Sequence, residues 1–336
     1  MPLVSGRTVA DLGERALVER ITARLPMPRW VVVGPGDDAA VVEPERGTLD
    51  VLTTDVQVEG VHFDRRFVPP DAVGYRALAV NLSDLAAMGA RPRTALLSLV
   101  LPDGLEVAEV DGMLDGLLSL AGEHGMAVIG GNIARSPGPL VVDVTATGSV
   151  KRRRALTRGG ARPGDEVWVT GTIGDAMVGL QQLRGGTTPA RGGPCETRYL
   201  RPAPRVRIGG LLSRARAATA CMDLSDGLAD SVRQVAAASG VGIVLDTAAL
   251  PIRDEVRQWH TTEGRDAVGA ALAGGDDYEL LFTVRPAHRG RLRLVRRQFG
   301  NDVPVTKIGV VTKERRLVLR STGGDEAVPA GFEHFA

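Results

Sequence analysis

Apolar positions along this 336-residue chain recur with two periods, helical and alternating, and their succession predicts a mixed α and β protein. Residues 9–25 carry Leu12, Ala16, Leu17, Ile21 and Leu25 at helical spacing among Glu and Arg. A second stripe, Ala72, Tyr75, Leu78, Ala79, Leu82, Leu85 and Ala86, predicts a helix over 71–88 that Gly89 ends. A third helix is expected over 107–124. Strands are expected at 31–33, 49–63, 94–101, 127–129 and 140–150, with 34–36 a turn and 38–42 an extended piece.

The stretch 151–165, basic and glycine-bearing, reads as a boundary, so the expected domains are 1–150 and 151–336. Beyond it the pattern predicts strands at 166–170, 220–224, 242–246 and 279–284, and two short strands that close the chain. Helices are expected at 174–183, 205–216, 228–239, 254–261 and 267–273. Residues 184–195, rich in Gly, Pro and Thr, read as a mobile surface loop.

Composition narrows the class. Lys and Arg number 41 against 40 Asp and Glu, so nothing in the overall charge draws the chain to nucleic acid or an anionic membrane. The cations Lys151–Arg154 read as a solvated linker on this balance. Aromatic residues make up 4%, too few for a base-stacking platform. No apolar run reaches the length of a membrane span, and Arg7, Asp11 and Glu14 interrupt the start of the chain, so a cytoplasmic protein is expected. Cys195 and Cys221 form no CxxC pair, which excludes a disulfide scaffold and a cysteine-rich zinc site. There is no GxxxxGK[ST], no GxGxxG opening a helix, no HExxH and no GxSxG.

Glycine is abundant, at 42 residues, and carboxylates gather at glycine turns just after apolar strands. Asp37 and Asp38 follow 31–33, Asp55 follows Leu52-Thr53-Thr54, Asp223 and Asp226 follow 220–222, and Asp276-Asp277 follow Gly274-Gly275, while Asp84 lies inside the apolar helix 71–88. Each alone reads as a turn former or a helix cap. Together they would suit hard divalent ions, which take oxygen ligands. Gly130-Gly131-Asn132 after 127–129 reads either as a tight turn or as a backbone cradle for phosphate. His62, one of five histidines, reads by itself as a hydrogen-bonded structural residue before a catalyst.

The motifs Asp11-Leu12-Gly13-Glu14, Gly36-Asp37-Asp38-Ala39-Ala40, Thr53-Thr54-Asp55, Glu59-Gly60-Val61-His62-Phe63 and Asn81-Leu82-Ser83-Asp84 open a longer series. Gly130-Gly131-Asn132-Ile133, Arg158-Gly159-Gly160, Met222-Asp223-Leu224-Ser225-Asp226-Gly227-Leu228, Gly274-Gly275-Asp276-Asp277-Tyr278-Glu279-Leu280 and Gly331-Phe332-Glu333-His334-Phe335 complete it. In order and spacing the series resembles the thiamine-monophosphate kinase family, over essentially the whole chain. The first cysteine, at 195, sets it apart from selenophosphate synthetase, which carries its reactive residue near the N-terminus.

The resemblance implies an α/β (α+β) fold of the aminoimidazole-ribotide-synthetase type in two domains. It also implies a homodimer paired through the N-terminal sheets. The activity it implies is transfer of the γ-phosphate of ATP to thiamine monophosphate, the last step of thiamine diphosphate biosynthesis. Asp38, Thr54, Asp55, Asp84, Asn132, Asp223 and Asp226 would hold several Mg2+ ions. Gly131, Asn132, Arg158 and Ser225 would contact ATP, and His62, Asp276 and Phe332 the acceptor. The family usually has Glu at the position of Asp276 and Trp at that of Phe332. The chemistry is self-consistent without a general base, because a phosphate acceptor with a second pKa of about 6 is already largely ionised near neutrality. The obstacle is repulsion between two anions, which cations relieve.

Overall fold

Gly13 divides the first expected helix. At φ 82° it leaves helical backbone, so the segment forms α1 (Val9–Leu12), capped by Thr8 and Asp11, and α2 (Glu14–Thr22). The computed structural model describes residues 6–186, 192–300 and 302–329. It divides into two units, Met1–Leu85 with Arg91–Lys151, and Ala86–Ala90 with Arg152–Ala336.

In the first unit β1 (Val31–Val33), β2 (Val41–Val42), β3 (Thr48–Val58), α3 (Pro70–Ala87), β4 (Arg91–Pro102), α4 (Val107–Glu123), β5 (Ala127–Ser136) and β6 (Val141–Lys151) follow. β1 and β2 make a small hairpin, and a four-stranded sheet runs β3-β6-β4-β5, with β4 and β5 parallel. Period-two alternation separates its faces: Val142, Val144 and Ala146 of β6 are buried, whereas Asp143, Thr145 and Thr147 are half-buried. The core is apolar helix surface, with Leu78, Leu82 and Leu85 of α3 and Leu114, Leu117 and Leu120 of α4 at most 2% exposed.

Two strands differ in length from expectation. β3 stops at Val58, because the Val61 and His62 amides fold back onto the Val58 carbonyl at 3.1 and 2.9 Å. Asp55 lies inside β3, three residues before its end at Val58. β5 continues to Ser136, so Gly130-Gly131-Asn132 is extended backbone and not a turn.

The second unit contains β7 (Glu166–Thr170), α5 (Asp175–Gly185), α6 (Pro194–Leu200), α7 (Val206–Ala215), β8 (Ala220–Asp223), α8 (Leu228–Ser239) and β9 (Gly242–Asp246). α9 (Asp254–Thr262), α10 (Ala267–Ala273), β10 (Leu280–Val284), α11 (Arg289–Phe299), β11 (Val305–Thr312), β12 (Leu317–Ser321) and β13 (Gly324–Ala327) complete it. Its seven-stranded sheet runs β13-β12-β9-β11-β7-β10-β8, antiparallel except for β12 beside β9. Both α6 and α11 lie where no helix was expected. Cys195, at the end of the expected surface loop, is fully buried in α6, while 187–191 lie outside the described residues. In α11 the buried stripe is Leu292, Val295 and Phe299, and five arginines with an exposed Leu294 dominate the remaining surface. Among the described residues no helix is long and apolar enough to cross a membrane.

Glu166 supplies an acid-sensitive anchor for this sheet. Its buried carboxylate accepts from Arg289 Nε at 3.0 Å and pairs with Lys307 Nζ at 2.8 Å. The Arg289 hydrogen bond, aided by Lys307, holds its pKa down from 4.5 to about 2. A depressed carboxyl contributes stability that is complete above its unfolded pKa and disappears as pH falls through the folded one. Acid titration of stability should therefore decline between pH 4.5 and about 2. Glu166→Gln should flatten that decline and cost about 1–2 kcal/mol at pH 7, since both partners are half exposed. Denaturant melts of both proteins at several pH values check this, and parallel acid limbs would contradict it.

Candidate active site

A cleft of about 690 Å3 opens in the first unit. Val18, Ile21 and Leu25, on and just after α2, form an apolar wall, and Gly36-Asp37-Asp38, Ser98, Gly131, Asn132 and Thr145 bring polar groups. An apolar wall with a few convergent polar groups is the usual make-up of a small-molecule site. The wall is fixed from behind: Arg20 Nε donates to Asp111 Oδ1 of α4 at 2.7 Å, and Arg24 Nη1 to the Asp111 carbonyl at 3.1 Å. Asp38 is exposed in the turn between β1 and β2, where its amide donates to Asp37 Oδ1 at 2.8 Å.

Gly131 belongs here for a reason other than a turn. It lies opposite Leu97 on β4, and a Cβ would stand 1.8 Å from the Leu97 carbonyl oxygen. As the edge strand, β5 presents one row of backbone N–H and C=O groups away from β4. The backbone of Gly130–Asn132 is therefore open along a strand edge and not folded into a turn.

Alternation along β3 sorts its polar residues onto two faces. Thr53 Oγ1 donates to Asp84 Oδ2 on α3, and Asp55, two residues on, shares that face. Thr54 faces the other way, with its hydroxyl 3.1 Å from Thr145 Oγ1 and 3.2 Å from Asp143 Oδ1. Thr54 is thus not beside Asp55 and Asp84. It stands on the cleft side, next to Thr145. Sequence reasoning missed Thr53 and Asp143, although strict alternation in β3 and β6 was the signal that would have found both. His62 lies in the turn after β3, where its Nδ1 accepts the Val58 amide at 3.1 Å, so the neutral ring carries its proton on Nε2.

In the second unit two loops are joined by backbone hydrogen bonds. The Asp276 amide donates to the Ser225 carbonyl at 2.8 Å, the Tyr278 amide to Leu224 at 3.0 Å, and the Leu224 amide to Glu279 at 2.9 Å. This brings Asp276 to the Asp223–Asp226 segment, which ends β8 and leads into α8. Ser225 Oγ donates to Asp226 Oδ2 at 3.2 Å. Arg158 reaches the second turn of α8, where it donates to Gln234 Oε1. Phe332 lies outside the described residues.

Asp277 is not a ligand of this group. It is fully buried and accepts the Gly174 and Ala176 amides at 2.7 and 3.3 Å, capping α5, and desolvation raises its pKa well above the ordinary value. Burial pushes the Cys195 thiol up to about 12, which makes it inert near neutrality.

Among the described residues no group of three or more His, Cys, Asp or Glu is placed to cage a metal ion. Oxygen donors meet in pairs, Thr53 with Asp84 and Ser225 with Asp226, and a Mg2+ ion needs only one or two carboxylates, with water and substrate phosphate completing its octahedron.

The N-terminal domain of AIR synthase related proteins matches residues 36–150, and the C-terminal domain of the same proteins matches 162–321. The thiamine-monophosphate kinase of Escherichia coli (strain K12) is 39% identical over 331 residues, covering 96% of this chain and 98% of the relative. The crystal structure of thiamine-monophosphate kinase from Stenotrophomonas maltophilia K279a is similar with a TM-score of 0.80 at 38% identity, covering 90% of this chain and 95% of that one. AaThiL, solved complexed with AMPPCP and TMP, is similar with a TM-score of 0.75 at 34% identity, over 97% of this chain and 98% of its own.

Proposed function

The chain belongs to the thiamine-monophosphate kinase family of AIR synthase related proteins, and on that premise we propose that it phosphorylates thiamine monophosphate with ATP by direct in-line transfer. The observation that carries this reading is the conjunction of near-full-length identity to a kinase with a cleft lined by Asp38, Gly131 and Asn132. In the first unit Gly131 and Asn132 would receive ATP along the β5 edge, and the resemblance adds Arg158 and Ser225 of the second unit as expected ATP contacts. Several Mg2+ ions would be held by carboxylates: Asp38 on the cleft side, where Thr54 and Asn132 would add neutral oxygens, Asp55 and Asp84 on the other face of β3, and Asp223 and Asp226 in the second unit. Bound Mg2+ supplies charge neutralisation for the transferring phosphoryl group.

By the resemblance His62, Asp276 and Phe332 would serve the acceptor: His62 with an N–H at Nε2, Asp276 with a carboxylate for a cationic ring and Phe332 with an aromatic side chain. None needs to take a proton from a phosphate that is already ionised. Incubating the protein with Mg·ATP and thiamine monophosphate should yield thiamine diphosphate, with ADP formed in equal amount. No product under those conditions refutes the reading.

A homodimer through the first unit is part of the same proposal. Leu52, Val56 and Leu96 are 70%, 44% and 41% exposed on the open face of the four-stranded sheet. Apolar strands left open on one face mark an association surface. Sedimentation at micromolar concentration should show a dimer, and Leu52→Glu should shift it toward monomer.

A further inference from the structure

Asp276 and Tyr278 are two of four non-glycine residues with positive φ among those described, at 66° and 49°. Side chains with a Cβ avoid this backbone region, so two instances one residue apart require restraint from outside. The restraint is visible. Asp277, between them, is held by two amides of α5, and Glu279, just beyond, is fully buried against Arg198, Arg205 and Thr170. With both neighbours turned inward, the side chains of 276 and 278 meet: Tyr278 Oη donates to Asp276 Oδ1 at 2.9 Å. The tyrosine ring is only 7% exposed, so its hydroxyl is a fixed donor and not a mobile surface group.

We propose that Tyr278 is a positioning residue for the phosphate acceptor, aiming the Asp276 carboxylate at the cationic ring through this hydrogen bond. The proposal rests on the reading that Asp276 faces thiamine monophosphate. A carboxylate on a single methylene swings about two torsions, and one oriented neighbour removes most of that freedom before the ligand arrives. The strained backbone is what allows a residue two positions away to supply that neighbour.

The test is binding of thiamine monophosphate to the full chain by calorimetry, with steady-state KM for both substrates, in Tyr278→Phe, Asp276→Asn and the double variant. Tyr278→Phe should weaken acceptor binding about 10- to 150-fold, the range for a hydrogen bond to a charged group, and move the ATP KM less than about twofold. The double variant should be no weaker than Asp276→Asn alone, because the hydroxyl acts only through that carboxylate. If Asp276→Asn weakens the acceptor and Tyr278→Phe does not, the proposal falls and the reading of Asp276 stands. If Asp276→Asn leaves acceptor binding intact, the reading of Asp276 falls and takes the proposal with it. A Tyr278→Phe protein that melts early, fails to fold or loses both substrates equally shows a purely structural hydroxyl, and overturns the proposal while leaving Asp276 in place.

Discussion

Asp226→Asn, and separately Asp55→Asn, should leave less than a tenth of the wild-type kcat while the protein still melts as one folded species. The exchange of a carboxylate for an amide removes a charge with almost no change in shape. Loss of turnover at constant fold therefore reports the charge. Two polyphosphate anions have to be brought together, and a transition state deprived of one well-placed charge interaction loses about 30- to 1000-fold in rate. Asp226 stands two residues before α8, where the Ser225 hydroxyl donates to its Oδ2, and Asp55 shares a strand face with the Thr53–Asp84 pair. Both are half-buried, unlike the fully buried Asp277, and the amide keeps the volume and one oxygen acceptor, so the fold should hold. Activity should also vanish on chelation and return with Mg2+ or Mn2+. Either variant turning over at more than a tenth of the wild-type rate removes that carboxylate from the metal assignment.

How much of this was legible in the sequence differs element by element. The stripe from Ala72 to Ala86 located α3 within one residue, because a helix packed on one side must repeat its apolar positions. The strand over 140–150 appears as β6, and Asp223 terminates β8 where the apolar run ends. α11 was invisible because five arginines in eleven residues obscure a stripe of only Leu292, Val295 and Phe299. α6 was hidden behind Pro194, which reads as a loop residue after two glycines but sits at the first helical position. Gly131 looked like a turn because local chemistry cannot distinguish a glycine needed for φ from one needed for close approach to Leu97.

At the site the limit was distance along the chain. Asp276-Asp277 read as one acidic pair, yet the two have unlike environments: Asp276 meets Tyr278, whereas Asp277 caps a helix about a hundred residues earlier, at Gly174. The resemblance named Asp276 but offered no physical reason for its buried neighbours. Those neighbours hold the loop, and their partners lie 74 to 109 positions away.

Glu279→Ala should cost the second unit about 3–5 kcal/mol, because it leaves two guanidinium groups buried without their counter-charge. Glu279 is 0% exposed; its Oε2 accepts Arg205 Nε and Thr170 Oγ1, each at 2.6 Å, and its Oε1 accepts Arg198 Nη2 at 2.8 Å. The arginine side chains are 12% and 14% exposed, so water cannot readily replace the lost carboxylate. Thr170 Oγ1 also accepts the Leu280 amide at 2.8 Å, so the same deletion loosens the start of β10. For a unit of this size the loss corresponds to a fall in melting temperature of about 6–20 °C. Glu279→Gln keeps the oxygen acceptor and the volume, and should cost less than the alanine variant. Replacing Arg198, Arg205 and Glu279 together by apolar residues of similar size should recover much of the loss, since the desolvation penalty disappears with the charges. Thermal melts of the three proteins separate these cases. A Glu279→Ala protein within about 1 kcal/mol of wild type would mean that the network contributes nothing net, and that the Asp276–Tyr278 loop is held by its backbone hydrogen bonds and the Asp277 cap alone.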